Sequence, residues 1–176
     1  MLVKHISNIS IKKDSLWVRW IHSVRLTEHS IWIVQCNKND SWCWKDLMSI
    51  RDLIKQHMVY NIGNGTVTSM WFDNWASIGP LIYHISYRSL YAARIDRNIT
   101  VSEMIDGDRW KWPHDWNQKY PHLVNLNVPT LIEEMRDKVV WKNSDGKVVK
   151  FSTKAVWQDL CEKYDTVIWH RMVWFS

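Results

Sequence analysis

Fourteen tryptophans in 176 residues constrain what this chain can fold into more than any other feature of its sequence. Each indole is a large apolar body with a single N–H that needs an acceptor. Most of these tryptophans sit among aliphatic residues, which points to a core built from indoles. The alternative is an aromatic surface on which nucleic-acid bases stack. With 46% hydrophobic residues, the chain can bury an ordinary core as one domain or two small modules.

Several classes are excluded. Apolar runs such as Ile31-Trp32-Ile33-Val34 are four residues long, far short of the roughly 18 a membrane helix needs. The isolated isoleucines of Met1 to Lys13 lack the continuous apolar core of about 7 to 15 residues that a secretory signal requires. Cys36, Cys43 and Cys161 are odd in number and scattered, which suits a reducing compartment better than a disulfide framework. The expected location is intracellular, in cytoplasm or nucleus. Net charge is +5, and all the excess is N-terminal: residues 1 to 100 hold 12 Lys/Arg against 7 Asp/Glu, and residues 101 to 176 hold 11 against 11. Such a surface attracts polyanions, and it equally keeps ordinary domains apart in solution.

Periodicity supplies the elements. From Asp14 to Leu26, Leu16, Trp17, Trp20, Ile21 and Val24 recur at three- and four-residue steps, predicting an amphipathic helix capped by Asp14 or Ser15. Its polar side offers Lys12, Lys13, Arg19, His22 and Arg25, either a solvated face or a strip for phosphates. A second helix is predicted from an Asp40 cap to about Met58, with Trp44, Leu47, Met48, Ile50, Leu53 and Ile54 inward and Lys45, Arg51 and Lys55 outward. Val59 to Phe72 predicts a β-hairpin turning at Asn64-Gly65, with Tyr60, Ile62, Val67, Ser69 and Trp71 on one face against that helix. Thr100-Val101-Ser102-Glu103 reads as a capping box before a short helix that ends at Asp106-Gly107-Asp108. Trp110 and Trp112 share one side of an extended piece, and Pro113, Pro121 and Pro129 break Asp115 to Thr130 into loop and short turns. A second hairpin joins Lys138–Trp141 to Lys147–Phe151 through Asn143-Ser144-Asp145-Gly146. Ser152 then caps a helix ending near Tyr164, and Val167 to Phe175 opens an apolar element that reaches Ser176 with no stop signal.

No catalytic or metal constellation is complete. A two-metal site needs carboxylates clustered about ions roughly 4 Å apart, whereas Glu133 and Glu134 diverge on a helix and Asp106 and Asp108 bracket a turn glycine. Asp73 suits a backbone-orienting role. His22, His29, Cys36 and Cys43 are spaced by seven but cross different predicted elements, and no close Cys pair of the zinc type occurs. Gly63-Asn64-Gly65 lacks the lysine and spacing of a phosphate loop, and there is no Gly-x-Ser-x-Gly elbow. No cofactor and no metal ligands are therefore assigned.

A resemblance emerges from the order of several pieces. These are Ser41-Trp42-Cys43-Trp44-Lys45-Asp46-Leu47, Arg51-Asp52-Leu53-Ile54, Ile62-Gly63-Asn64-Gly65, Trp71-Phe72-Asp73-Asn74-Trp75 and Gly79-Pro80-Leu81. The run continues with Val140-Trp141, Asp145-Gly146-Lys147, Phe151-Ser152-Thr153-Lys154-Ala155-Val156-Trp157 and Trp169-His170-Arg171-Met172-Val173-Trp174. From about Leu16 onward the chain resembles plant non-LTR (LINE-type) retrotransposon polyproteins, between the reverse transcriptase core and the reverse transcriptase zinc-binding domain. The resemblance implies a parent RNA-directed DNA polymerase whose Tyr-x-Asp-Asp type motif lies before Met1 and whose zinc ligands lie after Ser176. Neither site can be carried onto this chain, and Cys161 matches no ligand position.

The expectation is thus an α+β chain of short amphipathic helices and two β-hairpins with a Trp-rich core and an incomplete C-terminal helical element. Its organisation reads as a basic helical segment over 1–58, a connector over 59–137, and the opening of a zinc-binding domain over 138–176. The expected function is non-catalytic, with Lys12, Lys13, Arg19, Arg25, Lys45, Arg51 and Lys55 as phosphate contacts to RNA or DNA. The alternative is a purely structural connector without binding activity of its own.

Overall fold

The computed structural model describes residues 2–27 and 29–160. The expected end of the last helix near Tyr164, the apolar element from Val167 and Cys161 lie outside the described residues. The fold is α+β: short helices surround two small antiparallel sheets over an indole-rich core.

The chain begins with α1 (Leu2–Ser10), a helix that the sequence reading missed because only two turns display its pattern. Ile6 and Ile9 lie on its inner face with no exposure, packed on α3 (Trp42–Ile54). Between them runs α2 (Leu16–Trp20), capped by the Ser15 hydroxyl, which accepts from the Val18 N–H at 3.3 Å. The helix then widens into a π-helical turn over Ile21–Leu26 and stops at Thr27, whose φ is +42°. Of the expected inner face only Ile21 is kept. Val18, Ile21 and Leu26 are buried, while Leu16, Trp17, Trp20 and Val24 are exposed. The wider turn accounts for the change after Ile21, where Leu26 rather than Val24 faces inward; Leu16, Trp17 and Trp20 precede it and are exposed because the face of α2 that packs is the one carrying Val18.

Helix α3 is capped by the Ser41 hydroxyl on the Trp44 N–H, not by Asp40, and ends at Ile54 rather than near Met58. Asp40 instead accepts from the Asn37 N–H and from Arg25. Trp44, Leu47, Met48 and Ile54 face the core as expected, whereas Leu53 is exposed.

The expected hairpin at 59–72 is replaced by a long-range pairing. Strand β1 (Met58–Asn61) pairs antiparallel with β4 (Lys138–Lys142), Met58 opposite Trp141 and Asn61 opposite Lys138. Residues 68–72 form no strand beside β1; Val101 N–H donates to Thr68 O, Met70 N–H to Ile99 O, and Ser69 bridges Thr100. Asn64-Gly65 is consequently not a hairpin turn. Two hairpins do occur elsewhere. The expected one joins β4 to β5 (Val148–Lys150) through Asn143–Gly146, with Gly146 at φ +80°. The other joins β2 (Ile105–Asp106) to β3 (Arg109–Trp110) across Gly107, where a turn ending a helix was expected. Before it, the Thr100 N–H and hydroxyl both donate to the Glu103 carboxylate, so the acidic half of the capping box is made over a single 3-10 turn.

The remaining helices are α4 (Tyr87–Ala92), the short α5 (Trp116–Lys119) and α6 (Pro121–Val124), and α7 (Thr153–Leu160). Ser152 caps α7 as expected, its hydroxyl accepting from the Ala155 N–H.

Indoles dominate the interior. Trp71, Trp116 and Trp141 are fully buried; Trp110, Trp112 and Trp116 follow one another at centroid separations of 5.4 and 5.6 Å. Several indole donors find backbone acceptors: Trp71 donates to Asp96 O, Trp75 to Met70 O and Trp110 to Leu126 O, whereas Trp112 Nε1 is buried without a partner among the described residues. Trp141 lies under His57, with ring centroids 4.9 Å apart, and donates to Asp159. One continuous core runs from Ile6 to Val156.

Candidate nucleic-acid interface

The polar end of α1 sets the geometry of the basic surface. After Ser10 the chain reverses at Lys12, whose φ of +46° is a left-handed conformation that glycine normally occupies. Lys12 N–H and Lys13 N–H donate to Ile9 O and Asn8 O, closing the helix end and directing both lysines outward between α1 and α2. There Lys12, Lys13 and Arg19 line an open cleft with Val18, His22 and Ser23, faced by Asp96 and Asn98. His22 is held below its ordinary pKa by burial, against the opposing pull of the Ile9 carbonyl, so it adds no positive charge at neutral pH.

A second groove lies between α1 and the β4–β5 hairpin, about 900 Å³ in volume. Lys4, Lys13, Lys138 and Lys150 rim it over an apolar floor of Val139, Val140, Val148, Val149 and Phe151. Lys13 belongs to both depressions, so six cations from three separate stretches of sequence form one track. Besides Asp96, two further carboxylates touch it. Asp14 sits 3.8 Å from Arg19 with both side chains exposed, and Asp137 is turned inward, as described below.

The seven cations expected to contact phosphate therefore divide. Lys12, Lys13 and Arg19 are brought together. Arg25 is bound to Asp40 at 2.6 Å and lies over Trp44. Lys45 donates to Lys38 O, and Arg51 donates to Ile31 O and Val34 O, tying the 31–34 segment to α3. Lys55 lies over the rings of Tyr83 and Trp32. Lys4, Lys138 and Lys150 were missed, because nothing in the local sequence places the β4–β5 hairpin beside α1.

Two buried carboxylates carry much of the polar architecture. Asp137 accepts five hydrogen bonds: Gly63 N–H and Gly65 N–H at one oxygen, Val67 N–H, Thr68 N–H and the Thr68 hydroxyl at the other, all between 2.8 and 3.2 Å. Burial pushes its pKa upward, but the Gly63, Thr68 and Gly65 donors outweigh this and hold it below the ordinary value. The Gly63-Asn64-Gly65 loop is thus an anion-binding nest filled by the chain's own carboxylate. Asp73 accepts from Trp32 Nε1 and the Ser69 N–H, each at 2.7 Å, which is the orienting role expected of it. Here burial prevails over those donors and raises the pKa to about 6.

That raised value has a signed consequence. Folding favours the protonated form, so the group's contribution to stability is complete below its ordinary value of 3.8 and is lost as pH rises through about 6. The stability difference between wild type and Asp73→Asn is expected to shift toward the wild type by roughly 1 to 2 kcal/mol between pH 7 and pH 5. Urea midpoints of both chains at the two pH values measure it, and His22 and the other titrating groups cancel in the difference. A pH-independent difference contradicts the assignment.

Among the described residues no three His, Cys, Asp or Glu side chains gather to hold a metal, and no helix is long and apolar enough to cross a membrane. Asp106, Asp108, Glu133 and Glu134 are exposed. No family model, no curated protein and no solved structure matches the chain.

Proposed function

We propose that this chain is a non-catalytic piece of a retrotransposon-derived reverse transcriptase polyprotein that holds nucleic acid by its phosphates. The observation that carries the binding part is the six-cation track of Lys4, Lys12, Lys13, Arg19, Lys138 and Lys150. Exposed lysines and an arginine rimming two grooves that share Lys13 form the footprint of a polyanion. The parentage rests on the ordered motifs of the sequence. Its parent activity would be RNA-directed DNA polymerisation, carried by residues outside this chain.

Fluorescence anisotropy with labelled RNA and DNA across a salt series tests the binding. Affinity should fall steeply with salt, and each track cation removed should lower the slope by roughly one. Lys12→Gly is the most informative substitution, because glycine relieves the left-handed backbone while removing the charge. It should bind more weakly without becoming less stable, whereas Lys45→Ala should bind as the wild type does. Absence of affinity for either nucleic acid at low salt rejects the proposal.

The second reading, a structural connector, is favoured by Arg25, Lys45, Arg51 and Lys55, all of which have partners within the fold. That same absence of affinity supports it.

A further inference from the structure

The helix that walls the basic cleft also carries the least expected surface of the molecule. Leu16, Trp20 and Val24, spaced by four, form its outward ridge at 80%, 49% and 53% exposure. Trp17, 40% exposed, leans on His5 with ring centroids 4.8 Å apart. Trp20 has no aromatic partner among the described residues. Fully burying a side chain of this class gains on average well over the thermal energy, and the core accommodates Trp71, Trp116 and Trp141 completely. Arg19 and Ser23 stand beside the ridge and line the cleft that holds Lys12 and Lys13. An exposed indole on this helix thus stands next to Arg19 on the same helix, with Lys12 and Lys13 of the preceding turn across the cleft.

We propose that the ligand of this site is a single-stranded nucleic acid, with an unpaired base stacked on Trp20 and the adjoining phosphates on Arg19, Lys12 and Lys13. This rests on the phosphate-binding reading above and adds the strandedness. In a duplex every base face is already covered by its neighbours, so an indole platform contributes only where bases are unpaired. An anionic membrane is the other partner for exposed indoles among cations. It fits less well, because the lysines lie in a concave cleft walled by Asp96 and Asn98 rather than flanking the ridge in one plane.

The test uses the full chain with a labelled oligonucleotide, unpaired or annealed to its complement, at one salt concentration. Trp20 is half exposed, so Trp20→Ala should lower the urea midpoint modestly and leave the chain folded, and binding is compared at a temperature where both chains are folded. Trp20→Ala is expected to weaken unpaired-strand binding roughly tenfold and to leave duplex binding unaltered. Trp20→Phe should restore most of the loss, and Lys13→Ala should weaken both ligands. Equal binding of both ligands with no effect of Trp20→Ala overturns the inference while phosphate binding stands. No binding of either overturns both. Phosphatidylserine vesicles capturing the chain through Trp20, without preference for the unpaired strand, also overturn it and identify a membrane surface as the occupant.

Discussion

Replacing Asp137 with alanine is expected to cost about 3 to 5 kcal/mol of folding stability, the range for leaving buried partners of a charged group unpaired. Four backbone N–H groups and one hydroxyl, on residues 63 to 68, lose their common acceptor at once. A domain of this size has roughly 5 to 15 kcal/mol in total, so the variant should lose a large fraction of its stability. Urea denaturation gives the magnitude, and a loss below about 1 kcal/mol would show that water replaces the carboxylate. The pH dependence follows from the lowered pKa. Its contribution is fully present above the ordinary value of 3.8 and is lost as pH falls through the folded value. The deficit of Asp137→Ala should therefore be complete at pH 7 and shrink below about pH 4. Asp137→Asn should recover only part, because its amide can accept at one oxygen while its N–H₂ meets further donors.

Gly63→Ala is expected to be nearly as damaging, at about 3 kcal/mol or more, for a different reason. A Cβ on Gly63 would collide with the Met135 carbonyl oxygen and crowd the backbone carbon of Arg136 at 2.8 Å. These are main-chain atoms, so no side chain can rotate aside. The 63–65 loop must retreat from residues 135–136, stretching the bonds to Asp137 two positions along and the Ile132 N–H bond to Gly63 O. Gly107→Ala is the control, since nothing lies within 4 Å of a Cβ there and only its φ of +58° is unfavourable. It should cost about 1 kcal/mol. Equal losses at the two glycines would mean that the close approach is not rigid. Combining Gly63→Ala with Asp137→Ala should be less than additive, because both act on the same contact.

The same loop shows where the sequence is a sufficient guide and where it is not. Gly63-Asn64-Gly65 resembles the tip of a hairpin, and its glycines do serve a sharp reversal. The partner that fixes the loop, however, is a carboxylate 74 positions away, and the strand that pairs with β1 is equally remote. Nothing within Val59 to Phe72 distinguishes that outcome from a local hairpin. By contrast, Asn143–Gly146 lies between strands that pair with each other, so local turn chemistry was enough to place β4 and β5.

The candidate site divides along the same line. Lys12, Lys13 and Arg19 were legible as basic residues of one stretch, and their convergence follows from neighbouring helices. Lys4, Lys138 and Lys150 were not legible, because their meeting depends on α1 packing beside the hairpin. Trp20 was expected inward from its spacing, yet the face of α2 that packs carries Val18, a choice set by what lies beside the helix and not by its period; the π turn that follows keeps Ile21 inward and then buries Leu26 rather than Val24.

By itself the sequence determined the α+β class, the indole-rich core, a helix capped at Asp14 or Ser15, the Ser152 cap, and the hairpin at 138–151. Each rests on interactions spanning a few residues, whose strength is set by composition and spacing. Only the tertiary structure decided which strands pair, which aromatic faces water, and which of many surface cations form a single track. Those choices depend on contacts between distant residues, where the loss of chain entropy on closing a long loop is met by burial that no local window contains.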